Sequence, residues 1–262
     1  MKIFETRDRQ MLERYFRENT DVHLYALADL DEPFWDDTRW IVAQEEGKVT
    51  AVLLLLANLK TPIVYGICEP GDNAMRQLLK AYASELPEVF FAHFGNGVLD
   101  VLGQYRFDCE GDFFKMVLEK PSLDSPSEAK VELESDFQIL REFYSERAYG
   151  DDNEERSFAP YMLDFSPHHV IWQNGRIVSA AGVHAASKKQ SVAAIGNIAT
   201  EPLHRGRGYA SATTRSLVRN LVGTYKNIGL NVKADNAAAI RCYEKLGFRR
   251  RLSYVEGMMV KA

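Results

Sequence analysis

The chain has 262 residues, 46% hydrophobic and 26% charged, with 32 Lys and Arg against 37 Asp and Glu, a net charge of −5 at pH 7. That length builds one large or two modest domains with full cores. The acidic balance excludes broad binding to nucleic acid or to an anionic membrane, so any phosphate site has to be local.

Cys68, Cys109 and Cys242 are scattered, odd in number and form no C-x-x-C pair. They read as buried, reduced thiols, neither a disulfide frame nor a zinc cage, and no metal is expected. The opening "MKIFETRDRQ" is charged and has no apolar centre, unlike a signal peptide. The longest apolar run, "VTAVLLLLA", is far short of the roughly 20 residues a membrane span needs. A cytoplasmic protein without a membrane partner is expected.

In chain order, "MKIFET" reads as a strand and "DRQMLERYFREN" as a helix with Met11, Leu12, Tyr15 and Phe16 on one face. "RWIVAQEEGKVTAVLLLLA" is a hairpin around Glu46-Gly47, and "TPIVYGI" a strand. "NAMRQLLKAYASEL" is a helix, "EVFFAHF" a strand, "GVLDVLGQYRFD" a short helix and "FFKMVLE" a closing strand. "EKPSLDSPSEAK" (119–130), with two prolines and three serines, then interrupts the pattern near mid-chain.

Beyond it the order recurs. "AKVELE" is a strand, and "SDFQILREFYSER" an amphipathic helix that Ser135 can cap. "HHVIWQNGRIVSAAGVHA" is a hairpin turning at Asn174-Gly175. "QSVAAIGNIAT" is a strand, followed by H-R-G-R-G-Y-A (204–210) and a helix from about 208 to 223. "NIGLNVKA" is a strand, "NAAAIRCYEKLGF" a short helix ending at Gly247, and "RRLSYVEGMMV" the last strand. The expectation is an α/β (α+β) chain with two copies of one unit, each a mixed, mostly antiparallel sheet flanked by helices. The division runs 1–120, a linker at 121–130, and 131–262.

The two copies differ where a strand hands over to a helix. In the second, Gly206 and Gly208 remove Cβ atoms and permit positive φ. Arg205 and Arg207 add charge-assisted donors, and Ala210 and Tyr209 open the helix whose N-terminal N–H groups face outward. This is an anion site or a glycine turn edged by solvated arginines. The first copy has "CEPGDNAMRQ" there, and Glu69 and Asp72 would repel an anion. Neither a P-loop nor a dinucleotide G-x-G-x-x-G is present.

"NIATEPLHRGRGYASATTRSLV" with "LNVKADNAAAIRCYEKLGFRR" resembles the GNAT superfamily of N-acetyltransferases over roughly residues 130–262. Its acetyl-CoA motif R/Q-x-x-G-x-G/A is matched by Arg205, Gly208 and Ala210, and N-x-x-A-x-x-x-Y-x-x-x-G-F by Asn236, Ala239, Tyr243, Gly247 and Phe248. The resemblance implies that residues 205–210 hold the CoA pyrophosphate, that Ile198, Ala199 and Thr200 pair their backbone with the pantetheine arm, and that Asn236 contacts the cofactor while capping its helix. It also implies that Tyr243 protonates the departing thiolate, a task that suits a phenol.

The glutamate some members carry on the motif strand is absent, since that stretch reads Ala193-Ala194-Ile195. Glu201, for which a solvated loop position is the plain reading, and the strand histidine His184 are the candidate bases. The acidic run in "DDNEERSFAPYML" (151–163) would attract an amine, and Tyr149, Phe158 and Tyr161 are wall or core aromatics. The implied activity is acetyl transfer from acetyl-CoA to the amine of a small molecule by direct attack. A CoA-binding sensor or scaffold and a protein acetyltransferase are the alternatives. His204 has no assigned role.

Overall fold

Two-residue turns set the registers of the sheets. Glu46 and Gly47 have φ of 49° and 82°, and Asn174 and Gly175 have φ of 51° and 75°. Paired positive φ values match the twist of antiparallel strands, which is why Gly occupies the second position of each turn. The structure, a computed structural model, describes residues 1–124, 129–149 and 158–262.

The strands are β1 (Lys2–Thr6), β2 (Thr38–Glu45), β3 (Lys48–Leu56), β4 (Ile63–Gly66), β5 (Val89–Gly95), β6 (Tyr105–Leu118), β7 (Glu132–Glu134), β8 (His168–Gln173), β9 (Arg176–Ser187), β10 (Val192–Thr200), β11 (Asn227–Lys233) and β12 (Phe248–Lys261). The helices are α1 (Arg9–Arg17), α2 (Leu24–Ala28), α3 (Asn73–Tyr82), α4 (Phe137–Glu142), α5 (Met162–Phe165), α6 (Tyr209–Leu221) and α7 (Ala237–Leu246). The chain folds into two units. Unit 1 holds Met1–Met116, Asn231–Ala237 and Arg250–Ala262, and unit 2 holds Val117–Leu230 and Ala238–Arg249.

Unit 1 orders its strands β1-β2-β3-β4-β5-β12-β6. All pairs through β3–β4 are antiparallel, β4 and β5 are parallel, and β12 runs antiparallel to β5 with residues 254–260 against 89–95. α3 buries Met75, Leu78 and Leu79 in a core with Leu53, Val64, Phe90 and Phe94. Unit 2 orders its strands β7-β8-β9-β10-β11, antiparallel up to β10 and parallel between β10 and β11. Leu140 of α4 and the following Phe143 and Tyr144 pack with Val170, Ile177, Ala180 and Ala199. A second cluster joins Ala212 of α6 to Ile171 and Val178, with Tyr209 packed against it. Antiparallel runs that end in one parallel pair, with helices packed on the strands, make this the mixed α/β fold expected.

Several local expectations are corrected. Asp136, not Ser135, caps α4, its carboxylate accepting from the N–H groups of Gln138 and Ile139. α4 then widens into a π-helical stretch over Phe143–Tyr149. The short helix expected before β6 is one 3-10 turn, Leu99–Val101. Cys68 is buried, but Cys242 is only half-buried and Cys109 is exposed; all three are free. Phe158 is core, its ring 5.2 Å from those of Phe137 and Tyr144. The acidic residues of 151–157 lie outside the described residues, as does the side chain of Tyr149.

Candidate active site

β10 is where unit 2 becomes irregular. Its parallel register with β11 holds for residues 192–194 against 227–229 and ends there. Its register with β9 slips between Ala194 and Ile195 and again between Gly196 and Ala199, and Asn197 takes φ 51°. Bulges bend a strand away from its neighbour and leave backbone groups unpaired. The Tyr144 hydroxyl fixes the bulge by donating to the Asn197 carbonyl at 2.6 Å. Sequence reading places Tyr144 at helical spacing with Phe137, Leu140 and Phe143 but gives neither it nor Asn197 a part in the site, although the Gly196-Asn197 pair inside a strand pattern is the signal of such a bulge.

Ile198 and Thr200 on this stretch are half-buried, and Ala199 is buried. The Ser179 hydroxyl lies 2.9 Å from that of Thr200 and donates to the Ala199 carbonyl. The strand end is thereby tied back to β9 beyond the bulge.

One 3-10 turn, Pro202–His204, leads into the glycine turn. Gly206 and Gly208 have φ of 77° and 78°, and a Cβ built on either meets nothing within 4 Å. The left-handed backbone favours glycine there, and the space beside it is open. Gly208 caps α6, and among the described residues no side-chain cap hydrogen bond is made at that terminus. A helix start carries free N–H donors and a partial positive charge, and it follows directly on this glycine turn. Arg205 and Arg207 are exposed and tied by one contact each to backbone carbonyls, Arg205 to Thr200 at 3.1 Å and Arg207 to Leu203 at 3.4 Å. Ala210 is half-buried, whereas the ring of Tyr209 packs inward on the α6 cluster.

The matching junction of unit 1 is filled from within. The Asp72 carboxylate accepts from the Met75 N–H at 2.8 Å, which occupies the α3 terminus. The Gly71 N–H donates to the Asn96 carbonyl at 2.7 Å. A Cβ on Gly95 would stand 2.5 Å from the Cys68 carbonyl oxygen, so β5 and the chain after β4 are in contact where unit 2 has its bulge. Glu69 receives Arg251 at 2.8 Å.

The candidate acid–base residues fall in different settings. Tyr243 of α7 is buried, its ring 6.1 Å from that of Phe248. Cys242 lies 3.2 Å from the Ser211 hydroxyl, and burial pushes its thiol pKa up, against a nucleophilic role. His184 of β9 is half-buried beside the bulge, where a Cβ on Gly196 would stand 3.0 Å from its own Cβ. Asn236 is exposed immediately before α7, in the segment that belongs to unit 1.

Glu201 is not a solvated loop residue. It is 8% exposed, with His204 Nδ1 at 2.7 Å and Arg176 at 3.7 Å. His168 is fully buried over Gly182, and burial holds its pKa down to about 3. Among the described residues no group of three or more His, Cys, Asp or Glu could hold a metal ion, and no helix is long and apolar enough to cross a membrane.

Residues 134–248 match the model of the acetyltransferase (GNAT) family. No curated protein sequence matches the chain. Among solved structures, a putative acetyltransferase of the GNAT family from Novosphingobium aromaticivorans is 18% identical with a TM-score of 0.60, covering 91% of this chain and 97% of that one. A GNAT-family acetyltransferase from Colwellia psychrerythraea is 11% identical at a TM-score of 0.59, covering 98% and 100%. A tandem GNAT protein from the clavulanic acid biosynthesis pathway is 13% identical at 0.58, covering 98% of each chain. The chain thus has the fold of these acetyltransferases, over nearly its whole length.

Proposed function

We propose that this chain, whose residues 134–248 match the GNAT acetyltransferases, is an acetyl-CoA-dependent N-acetyltransferase acting on the amine of a small molecule. One observation carries the reading. In the segment that matches the family, an uncapped α6 terminus and two left-handed glycines with open space beside them follow directly on a bulged strand. That arrangement suits an anionic group on an extended arm.

Residues 205–208 and the α6 N–H groups would hold the pyrophosphate, and the backbone of Ile198, Ala199 and Thr200 would align the arm. Acetyl-CoA supplies an activated acyl group as its thioester. Tyr243 would hold the proton that the leaving sulfur takes, and His184, beside the bulge, is the candidate to receive the amine proton. The first copy, with its junction occupied by Asp72 and Glu69, takes no cofactor in this way. The recurring element order and the likeness to a tandem GNAT protein support a two-copy chain divided near residues 121–130.

Calorimetry with acetyl-CoA tests the cofactor, and release of CoA thiol across a panel of small amines tests turnover. Gly208→Glu is expected to abolish acetyl-CoA binding, because the new carboxylate and the φ of 78° both oppose the site. Tyr243→Phe is expected to keep binding and lose turnover by about 10²-fold or more. Binding without turnover on any amine would favour the sensor reading, which the missing motif glutamate supports. Unchanged binding by the Gly208 variant would reject the site.

A further inference from the structure

The glycine turn gains little anchorage from its own side chains. Residues 205–208 are exposed, a Cβ at Gly206 or Gly208 would touch nothing, and Leu203 before them is 78% exposed. Such a segment pays a large ordering cost on binding unless its stem is fixed. The stem holds an unexpected group, the Glu201 carboxylate, buried within a few residues of donors that would receive a phosphate. An uncompensated buried carboxylate there would repel the ligand and destabilise the fold.

The compensation is visible. His204 Nδ1 stands 2.7 Å from Glu201 Oε2, a close contact off the line of a well-aligned hydrogen bond. A guanidinium nitrogen of Arg176, from the β8–β9 hairpin, stands 3.7 Å from the other carboxylate oxygen. The backbone closes the same loop, since the His204 N–H donates to the Glu201 carbonyl at 2.8 Å and the Glu201 N–H to the Val178 carbonyl at 2.9 Å. Both side chains are largely enclosed, His204 at 15% and Glu201 at 10% exposure. His204 from the turn and Arg176 from the start of β9 therefore converge on one carboxylate at the root of the turn.

We infer that Glu201, His204 and Arg176 form a charge-compensated clasp that positions the 205–208 turn for the cofactor phosphates. Glu201 and His204 act as positioning residues, and the inference rests on the cofactor reading proposed above. The clasp gives His204 a role and assigns Glu201 to positioning instead of proton transfer.

The distinguishing experiment is a cycle on acetyl-CoA affinity, by calorimetry, with kcat at saturating acetyl-CoA measured in parallel. His204→Ala leaves the carboxylate with only the distant Arg176, and acetyl-CoA affinity is expected to fall about tenfold, the size of one charge-assisted contact. Glu201→Gln in the same chain removes the charge and is expected to restore most of that loss, although the histidine is still missing. Saturated kcat should stay within about twofold throughout, since the clasp does not touch the reacting atoms. Circular dichroism melts check folding, and His204→Gln, which keeps a donor of similar reach, replaces the alanine variant if that one unfolds.

Equal affinity for wild type and His204→Ala, or a double variant as weak as the single one, overturns the clasp. If the wild-type chain binds no acetyl-CoA, the cofactor reading falls and the clasp with it. A loss confined to kcat would also overturn the clasp, because it would place these residues in the chemistry.

Discussion

Lys115 is 2% exposed, and its ammonium stands 4.7, 5.3 and 5.4 Å from the ring centroids of Tyr25, Tyr65 and Tyr254. It donates a hydrogen bond to Asn231 Oδ1, at 3.4 Å. Burial holds its pKa down to about 7, against the opposing pull of Glu256 and Asp29. Burial likewise pushes Asp29 up to about 7, opposed by Lys115. From about pH 7 towards 10.5 the unfolded chain carries a proton on this lysine that the folded chain has released, so stability rises with pH in that window. Burial raises the thiols of Cys68 and Cys242 from 9.0 and the phenols of Tyr25 and Tyr65 from 10.0, all of which oppose the rise, so it is cleanest below 9.0. Asp29 acts in the opposite sense between 3.8 and about 7, where the folded chain keeps its proton and stability falls as pH rises. Urea midpoints measured from about pH 7 to about 8.5, below the thiol range, should increase for the wild-type chain and lie flat for Lys115→Met. A parallel rise in both proteins would show that another group is responsible.

At the scale of elements, α3 and α6 show how one position serves two purposes. Both follow a strand with a parallel neighbour, but α3 begins at Asp72, whose carboxylate takes the Met75 N–H, while α6 begins at a glycine, which has no side chain to cap it. Asp72→Ala is therefore expected to lower stability by about 1 kcal/mol in chemical denaturation. No effect would mean that α3 is held by its buried Met75, Leu78 and Leu79 alone. Hairpins, strands and long helices were legible because a period of two or of 3.6 survives in the sequence and positive-φ pairs announce the turns. α2 and the 3-10 turn at Leu99–Val101 were not, because five or three residues carry too little period to distinguish. The cap of α4 was misplaced by one residue because serine and aspartate both cap and stand adjacent at 135 and 136.

For the whole molecule, the order of segments in the chain is not their order in the units. Unit 1 takes residues 231–237 and 250–262 from the far end of the chain, and β12 covers β5 through seven register pairs. A fragment of residues 1–120 lacks that strand and exposes the edge of β5, including Phe90 and Phe94. It is expected to aggregate or to melt without a cooperative transition in circular dichroism, whereas the full chain melts cooperatively. A sharp melt of the fragment would show that unit 1 is independent of its borrowed strand.

The sequence by itself determined the element order, the turns, the family resemblance and the left-handed glycines at 206 and 208, because each depends on residues close together in the chain. Only the tertiary structure decided that β12 pairs with β5, that Tyr144 pins the bulge at Asn197, and that Glu201 is a buried partner of His204 and Arg176. Those depend on which strand lies beside which and on what is removed from water. Pairing and burial join residues far apart in sequence, where no local period records them.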